Sequence, residues 1–279
     1  MKKLLLLIAA AAISSASYAQ LRVSMAEENP FEFPASESYV GIFLGDETRA
    51  NFGLTDANYL YIGPDADRGR NLWVWDGSSH FGETPDLNSF GIPGEYMAYI
   101  VGSAGWSGIG YNIAKDAPVL DLSFIDSNWS FHLAVKSTSK ETFTFTITDG
   151  DGTEAQLVLG DGPNGDGVAA VGNFPRDGEW YNIEAPLDWL EDQFEFTFGG
   201  DASKCYADKN MLVVLAGGVE GTEIDFDAAF YHGPKVDFTG VRSVSAAAAF
   251  GNTIYDITGR QTDASRRGLY IREGKKFVK

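Results

Sequence analysis

Cysteine, histidine, basic side chains and long apolar runs are all scarce in this chain, and each scarcity excludes something. The single cysteine, Cys205, allows no internal disulfide, so packing alone must hold the fold, and "DASKCYADK" offers that thiol no neighbouring base. The three histidines, His80, His132 and His232, show no HExxH or other paired spacing, which fits hydrogen-bonded or exposed side chains rather than a zinc set. Lys and Arg total 21 against 39 Asp and Glu, a net charge of −18. Residues 241–279 hold eight basic and three acidic side chains, which leaves 36 acidic against 11 basic for residues 20–240. Such an acidic body excludes nucleic acid and anionic membranes, because phosphate binding needs basic patches. Neutral or cationic partners, including glycans and calcium, stay open; solubility alone is the plainer reading of the acidity.

The longest apolar run, Leu4 to Ile13, follows Lys2 and Lys3 and precedes Ser17-Tyr18-Ala19. That order is a basic n-region, a short h-region and a small-residue cleavage site, so residues 1–19 are expected to be a signal peptide. No later stretch approaches the roughly 20 apolar residues of a transmembrane helix. The expectation is an exported protein without a transmembrane segment, in the periplasm, at the cell surface or outside the cell.

What is abundant points to β structure. Glycine occurs 32 times and aromatic residues make up 13% of the chain. Short apolar alternations recur between turn signals: residues 39–44, 58–62, 72–75, 96–101, 120–124, 129–136, 142–148, 155–159, 180–185, 194–198, 211–216 and 224–231. Only Pro186 to Leu190 reads as a helical turn. In "TFTFTIT", Phe143, Phe145 and Ile147 point to one face, the core, and the threonines to the other, which reads as solvent. The fold class is all-β: an antiparallel sandwich of two sheets over residues 20–240, with residues 241–279 as linker and small appendage.

The order "NLWVWDG", "GWSGIGYNI", "WSFHLAVKS", "GEWYNIEAPLDWL", "EIDFDAAFYHG" resembles the galactose-binding-like jelly rolls of exported bacterial proteins, many of them carbohydrate-binding modules. Trp180, Ile183 and Pro186, then Asp225, Phe226 and Asp227, carry that likeness, which implies the jelly-roll fold and a glycan as ligand. The tail, "IYDITGRQ" and then "RGLYIREGKKFVK", is similar to the C-terminal sorting domain of type IX secretion. Tyr255, Asp256, Gly259, Arg260, Gly268, Tyr270, Ile271, Gly274, Lys275 and Lys276 match it. The resemblance implies a terminal β hairpin read by export machinery, shortened here and preceded by an alanine-rich stretch.

Several constellations could carry chemistry. "GWSGIG" lacks the spacing of a nucleophile elbow and reads as a tight glycine turn. "EIDFD" places Glu223, Asp225 and Asp227 on one strand face and resembles the glutamate-apolar-aspartate-apolar-glutamate strand of laminarinase-type glycoside hydrolases, where one carboxylate attacks and another donates a proton. The last position here is the shorter aspartate and no tryptophan follows, so a solvated outer face is the plainer reading. "TDGDGTE" and "GDGPNGDG" gather Asp149, Asp151, Asp161, Asn164 and Asp166, hard oxygen donors of the kind calcium takes, although aspartate-glycine also makes hairpin turns.

A sugar platform needs an aromatic face beside polar groups. Trp75 and Trp106 precede polar loops, and Asp76, His80, Asn88 and Asn112 could supply hydrogen bonds. Trp129, Trp180 and Trp189 read as core. In "NLWVWDGSSHFGE" alternation puts Leu72 and Val74 on one face and Trp73 and Trp75 on the other, which reads as a strand internal to a sheet with Trp73 in the core. The expected function is non-catalytic glycan binding or association with the cell surface. The alternatives are a jelly-roll glycoside hydrolase using Glu223 and Asp227, or a structural, adhesive surface protein.

Overall fold

A computed structural model describes residues 20–75, 79–82, 87–93, 96–100, 108–205, 209–216 and 219–238, together with the tail strands 254–256, 261–262, 269–272 and 275–278. For 79–82, 99–100 and the tail, only the backbone course is described. The expected signal peptide and the alanine-rich stretch lie outside the described residues.

The first main sheet contains β1 (Arg22–Met25), β2 (Glu37–Phe43), β3 (Tyr59–Tyr61), β5 (Ser79–Gly82), β6 (Tyr96–Ile100), β9 (Ser130–Lys136), β12 (Tyr181–Pro186) and β15 (Glu223–Pro234). Its spatial order is β1-β12-β9-β15-β2-β3, and β6, which carries β5, also pairs with β15. The second sheet, in the order β11-β10-β14-β7-β4, contains β4 (Arg70–Val74), β7 (Gly108–Ile113), β10 (Phe143–Thr148), β11 (Glu154–Leu159) and β14 (Lys209–Leu215). Two short strands, β8 (Leu120–Asp121) and β13 (Lys204–Cys205), pair with each other. Every pairing in the two main sheets is antiparallel except β2 with β3. This is the expected all-β sandwich.

Alternation explains the layering. Phe131, Leu133 and Val135 of the first sheet and Phe143, Phe145 and Ile147 of the second all enter one buried cluster between the sheets, with Phe226, Tyr231 and Val214. Trp129 is 2% exposed, and its indole packs against Gly233 so closely that an added Cβ would lie 2.5 Å from its Cγ. Trp180 and Trp189 are only half-buried, so of the three expected core tryptophans Trp129 alone is fully enclosed.

On the far side of the first sheet lies a second cluster of Tyr39, Tyr59, Ala134, Ala228 and Phe230, covered by Phe31, Phe33 and Phe90. Two covered faces explain why β15 is buried almost throughout, its aspartates included. A bulge makes this possible: Asp227 pairs with Ala134 but Phe230 pairs with His132, so β15 carries one extra residue, and Ala228 takes it up at φ 54°. Ile224 and Phe226 before it, and Ala229 and Tyr231 after it, all face the sandwich interior.

The sequence reading needs correction in several places. Residues 194–198 form no strand: α2 (Leu187–Phe194) runs past the expected Leu190, and Glu195 ends it at φ 59°. Phe196 and Phe198 still reach the core, but no ladder forms around them. A short helix, α1 (Asp46–Asn51), was not foreseen. Gly108 and Gly110, read as a turn, lie in β7. Strand β4 is not internal; it ends its sheet's order. The threonines 144, 146 and 148, read as solvated, are buried.

In the tail, β16 (Ile254–Asp256), β17 (Gln261–Thr262), β18 (Leu269–Arg272) and β19 (Lys275–Val278) form a sheet in the order β17-β16-β18-β19, four strands rather than a hairpin. Tyr255 pairs with Ile271, Asp256 with Tyr270, and Lys276 with Ile271, so the two halves of the sorting-like pattern share one sheet. Gly259, Arg260, Gly268 and Gly274 lie outside the described residues.

Candidate functional site

The outer face of the second sheet gathers the features that a platform needs. Strand parity puts Asn71, Trp73 and Trp75 on that face from β4 and its end, and Gly108, Gly110 and Asn112 from β7. Register then places Trp73 opposite Gly110 and Asn71 opposite Asn112, while Trp75 N–H donates to the Gly108 carbonyl. The two glycines are what let the indoles fold inward over the sheet. A Cβ on Gly110 would lie 2.0 Å from Trp73 Cζ2, and one on Gly108 would lie 3.0 Å from Trp75 Cε3. Trp73 therefore lies over bare backbone, and its Nε1 donates to Asn210 Oδ1 at 3.3 Å, reaching across β7 to β14. The two rings meet at a centroid distance of 4.6 Å and an angle of 50°. Trp75 is 41% exposed and Trp73 half-buried.

Beyond the indoles the face continues through Val213 and Leu215 to Thr144 and Thr146, then to Gln156 and Val158. Asn112 also pairs with Asn210, so three asparagines cross β4, β7 and β14 in one row. At the far margin Asn164 donates to Thr144 Oγ1 at 3.3 Å, which draws the loop after β11 against the face. Two buried oxygens here have no hydrogen-bond partner among the described residues, Thr148 Oγ1 and Gln156 Oε1. A buried acceptor left unpaired is costly, and a ligand hydroxyl would satisfy it.

The expected ligand residues divide. Trp75 and Asn112 share this face. His80 lies in β5, opposite Ala98 in the other sheet, so the stretch that carries Trp75 and His80 passes from one sheet to the other. Asn88 is buried; its Nδ2 donates to Thr48 Oγ1 at 2.7 Å and its Oδ1 accepts from the Phe90 and Ile92 N–H groups, which makes it a turn-former rather than a ligand. Asp76 and Trp106 lie outside the described residues. The sequence reading missed Asn71, Trp73, Thr148, Gln156 and Asn210. One signal was present: in "GIGYNI" the glycines alternate with Ile109 and Tyr111, leaving one strand face bare.

The carboxylates of "EIDFD" do share a face, but only Glu223 is solvated. Asp225 and Asp227 are buried, and burial pushes each carboxyl up to about 6. Asp225 pairs with Lys136 at 3.1 Å, whose ammonium lies over the rings of Tyr96 and Trp180. Asp227 Oδ2 accepts from Ser89 Oγ at 2.9 Å and Oδ1 from Ala228 N–H at 2.6 Å, so it ties the loop at 87–93 to the bulge. Asp227 also borders a cavity of about 460 Å³ beside α1, where Arg49 pairs with Asp46.

Of the five expected calcium donors, Asp149, Asn164 and Asp161 accept hydrogen bonds within the chain, and Asp151 and Asp166 contribute backbone N–H groups to them. Asp149 Oδ1 accepts from the N–H groups of Asp151, Gly152 and Thr153, and its Oδ2 from Thr197 N–H, closing the β10–β11 hairpin. Asn164 Oδ1 accepts from Asp166 and Val168, and Asp161 accepts from Asn173. Among the described residues no group of three or more His, Cys, Asp or Glu side chains is arranged to hold a metal ion.

Two histidines that look scattered in the sequence meet at one carboxylate. His132 Nδ1 lies 2.5 Å from Glu184 Oε1, and His232 bridges Glu184 Oε2 and Glu37 Oε2, each at 3.1 Å. Burial lowers His132, which fits a neutral ring donating to Glu184. Burial also opposes charge on His232, but its two carboxylates prevail and raise it to about 9. Glu184 would be raised by burial, yet the two imidazoles hold it at about 2. Cys205 is fully buried and its thiol is pushed up to about 12, which fits the inert reading.

Among solved structures the chain is similar, over 61% of its length and 94% of the other chain, to TmCBM61 in complex with β-1,4-galactotriose, at 10% identity and a TM-score of 0.36. Over 58% of its length and 90% of the other it is similar to the family 30 carbohydrate-binding module of a cellulosomal cellulase of Clostridium thermocellum, at 12% identity and a TM-score of 0.35. A family 11 carbohydrate-binding module from Clostridium thermocellum, in complex with a β-1,3-1,4-mixed-linked tetrasaccharide, is similar at 12% identity over 61% and 91% of the two chains, with a TM-score of 0.29. No family model matches the chain, and no curated protein matches it.

Proposed function

We propose that this protein binds glycans, without catalysis, on the outer face of the second sheet. The observation that carries the reading is Trp73 laid over Gly110 beside Trp75, an aromatic surface half-open to solvent and bordered by Asn71, Asn112 and Asn210. Such a ring takes the C–H side of a sugar, and the amides take its hydroxyls. Isothermal calorimetry against soluble polysaccharides tests it. Wild type should bind at least one, and Trp75→Ala, at nearly unchanged melting temperature, and Trp73→Ala, less stable but still cooperatively folded, should each weaken that binding ten-fold or more. Absence of binding to every polysaccharide refutes the reading.

Export belongs to the same reading: residues 1–19 direct the chain out of the cytoplasm and the tail sheet serves sorting or retention at the envelope. Cell fractionation with and without residues 241–279 tests this, and an identical distribution removes the role of the tail.

A further inference from the structure

The charge around the platform bears on which glycans it accepts. No outer-face position of β4, β7, β14, β10 or β11 carries Lys, Arg or His, and Glu154 at the margin is acidic. The turns beside it add Asp151 and Asp166. Lys209 is turned onto the hairpin, its Nζ donating to the Asp151 carbonyl at 3.4 Å, and Lys115 is followed directly by Asp116. Arg70 and Lys136 are each paired with an aspartate, and Arg176 lies over the rings of Phe143 and Phe174. Two buried oxygens on this face have no partner among the described residues: Gln156 Oε1, which only accepts, and Thr148 Oγ1, which can donate or accept.

We propose that this face selects neutral glycans and rejects polyuronates, a deepening that rests on the glycan-binding reading above. A sugar hydroxyl donates to Gln156 Oε1 and accepts from an asparagine Nδ2. An ionised uronate carboxylate only accepts, so where it sits against Gln156 Oε1 it leaves that oxygen unpaired, and it faces Glu154, Asp151 and Asp166 with Lys209, held at the Asp151 carbonyl, offsetting only part of their charge. Rejection is thus built from mismatched hydrogen bonding at close range and from repulsion at longer range, and the second part is screened by salt.

Calorimetry with the full chain separates the cases. The neutral probes are cello-, xylo- and galacto-hexaose and mixed-linkage β-glucan; the acidic probes are oligogalacturonate and oligomannuronate of matched length. At low salt the strongest neutral probe should bind at least ten-fold tighter than either uronate. The ratio should shrink when salt is raised and when Asp151→Asn and Asp166→Asn are combined. Uronate binding equal to or tighter than the best neutral probe overturns the selectivity while glycan binding stands. If neither class binds, the glycan-binding reading itself fails and the selectivity falls with it.

Discussion

Replacing His232 with Gln should reshape the dependence of stability on pH. In the unfolded chain an imidazole titrates near 6.5, whereas His232, between Glu37 and Glu184, is raised to about 9. Its contribution is fully present below about 6.5 and is lost as pH rises through about 9. That interval corresponds to up to about 3 kcal/mol, a ceiling because Glu184 is shared with His132. His132 acts in the opposite sense: burial lowers it, so its contribution is full above about 6.5 and declines below. Glu184, held at about 2 from its ordinary 4.5, contributes above about 4.5 and loses that as pH falls through 2. Together the three groups place the network's optimum near pH 6.5. Urea unfolding of wild type between pH 5.5 and 9.5 should show a loss of about 2–3 kcal/mol on the alkaline side. His232→Gln should be about 2 kcal/mol less stable at pH 6.5 and nearly flat above it. A wild-type curve flat from pH 6.5 to 9, or an alkaline slope that survives in His232→Gln, refutes the assignment.

Other outcomes follow from single contacts. Gly110→Ala forces the Trp73 indole off the sheet and away from Asn210, so it should cost about 1–2 kcal/mol and change the far-ultraviolet exciton signal of the tryptophan pair; an unaltered spectrum counts against the packing. Asp149→Ala leaves the Asp151, Thr153 and Thr197 N–H groups without their acceptor, while Gly152 N–H keeps the Asp149 carbonyl, and should destabilise by about 3 kcal/mol, with accelerated hydrogen exchange at Asp151 and Thr153; protection equal to wild type contradicts it. Trp129→Ala removes a fully enclosed indole and should cost about 3–5 kcal/mol in urea unfolding, and a loss below 1 kcal/mol would mean the site is less closed than described. Cys205 should stay unreactive toward thiol reagents at pH 8 in the native protein and react on unfolding; rapid labelling of the folded chain would overturn its burial.

The fold was legible where alternation was strict and both partner strands existed. "TFTFTIT" gives the inward phenylalanines correctly, and "WSFHLAVK" puts His132 opposite Phe131 and Leu133. It fails where a tertiary event changes the phase or the partner. Phe196 and Phe198 keep the period of a strand, but no neighbour pairs with them. The threonines of β10 looked solvated because a contact such as Asn164 onto Thr144, twenty residues along the chain, leaves no local trace. Likewise "LWVW" has two apolar faces, which suggested an internal strand; in fact β4 ends its sheet's order, and its second apolar face carries the paired indoles of Trp73 and Trp75. The meeting of His132, His232 and Glu184 joins positions 48 to 100 residues apart, and only sheet order brings them together.

The bulge at Ala228 bears on which changes of length this chain can absorb. Deleting Ala228 would remove the left-handed residue and restore an uninterrupted ladder with β9, the register shift against β2 remaining, with Ile224, Phe226, Ala229 and Tyr231 still facing inward and Phe230 and His232 still outward. Loss of a residue elsewhere along β15 leaves the bulge in place and turns one part of the strand inside out. Among relatives that have drifted far apart, a one-residue gap in this central strand is therefore expected at 228, where losing a residue preserves the faces that the rest of the sheet depends on.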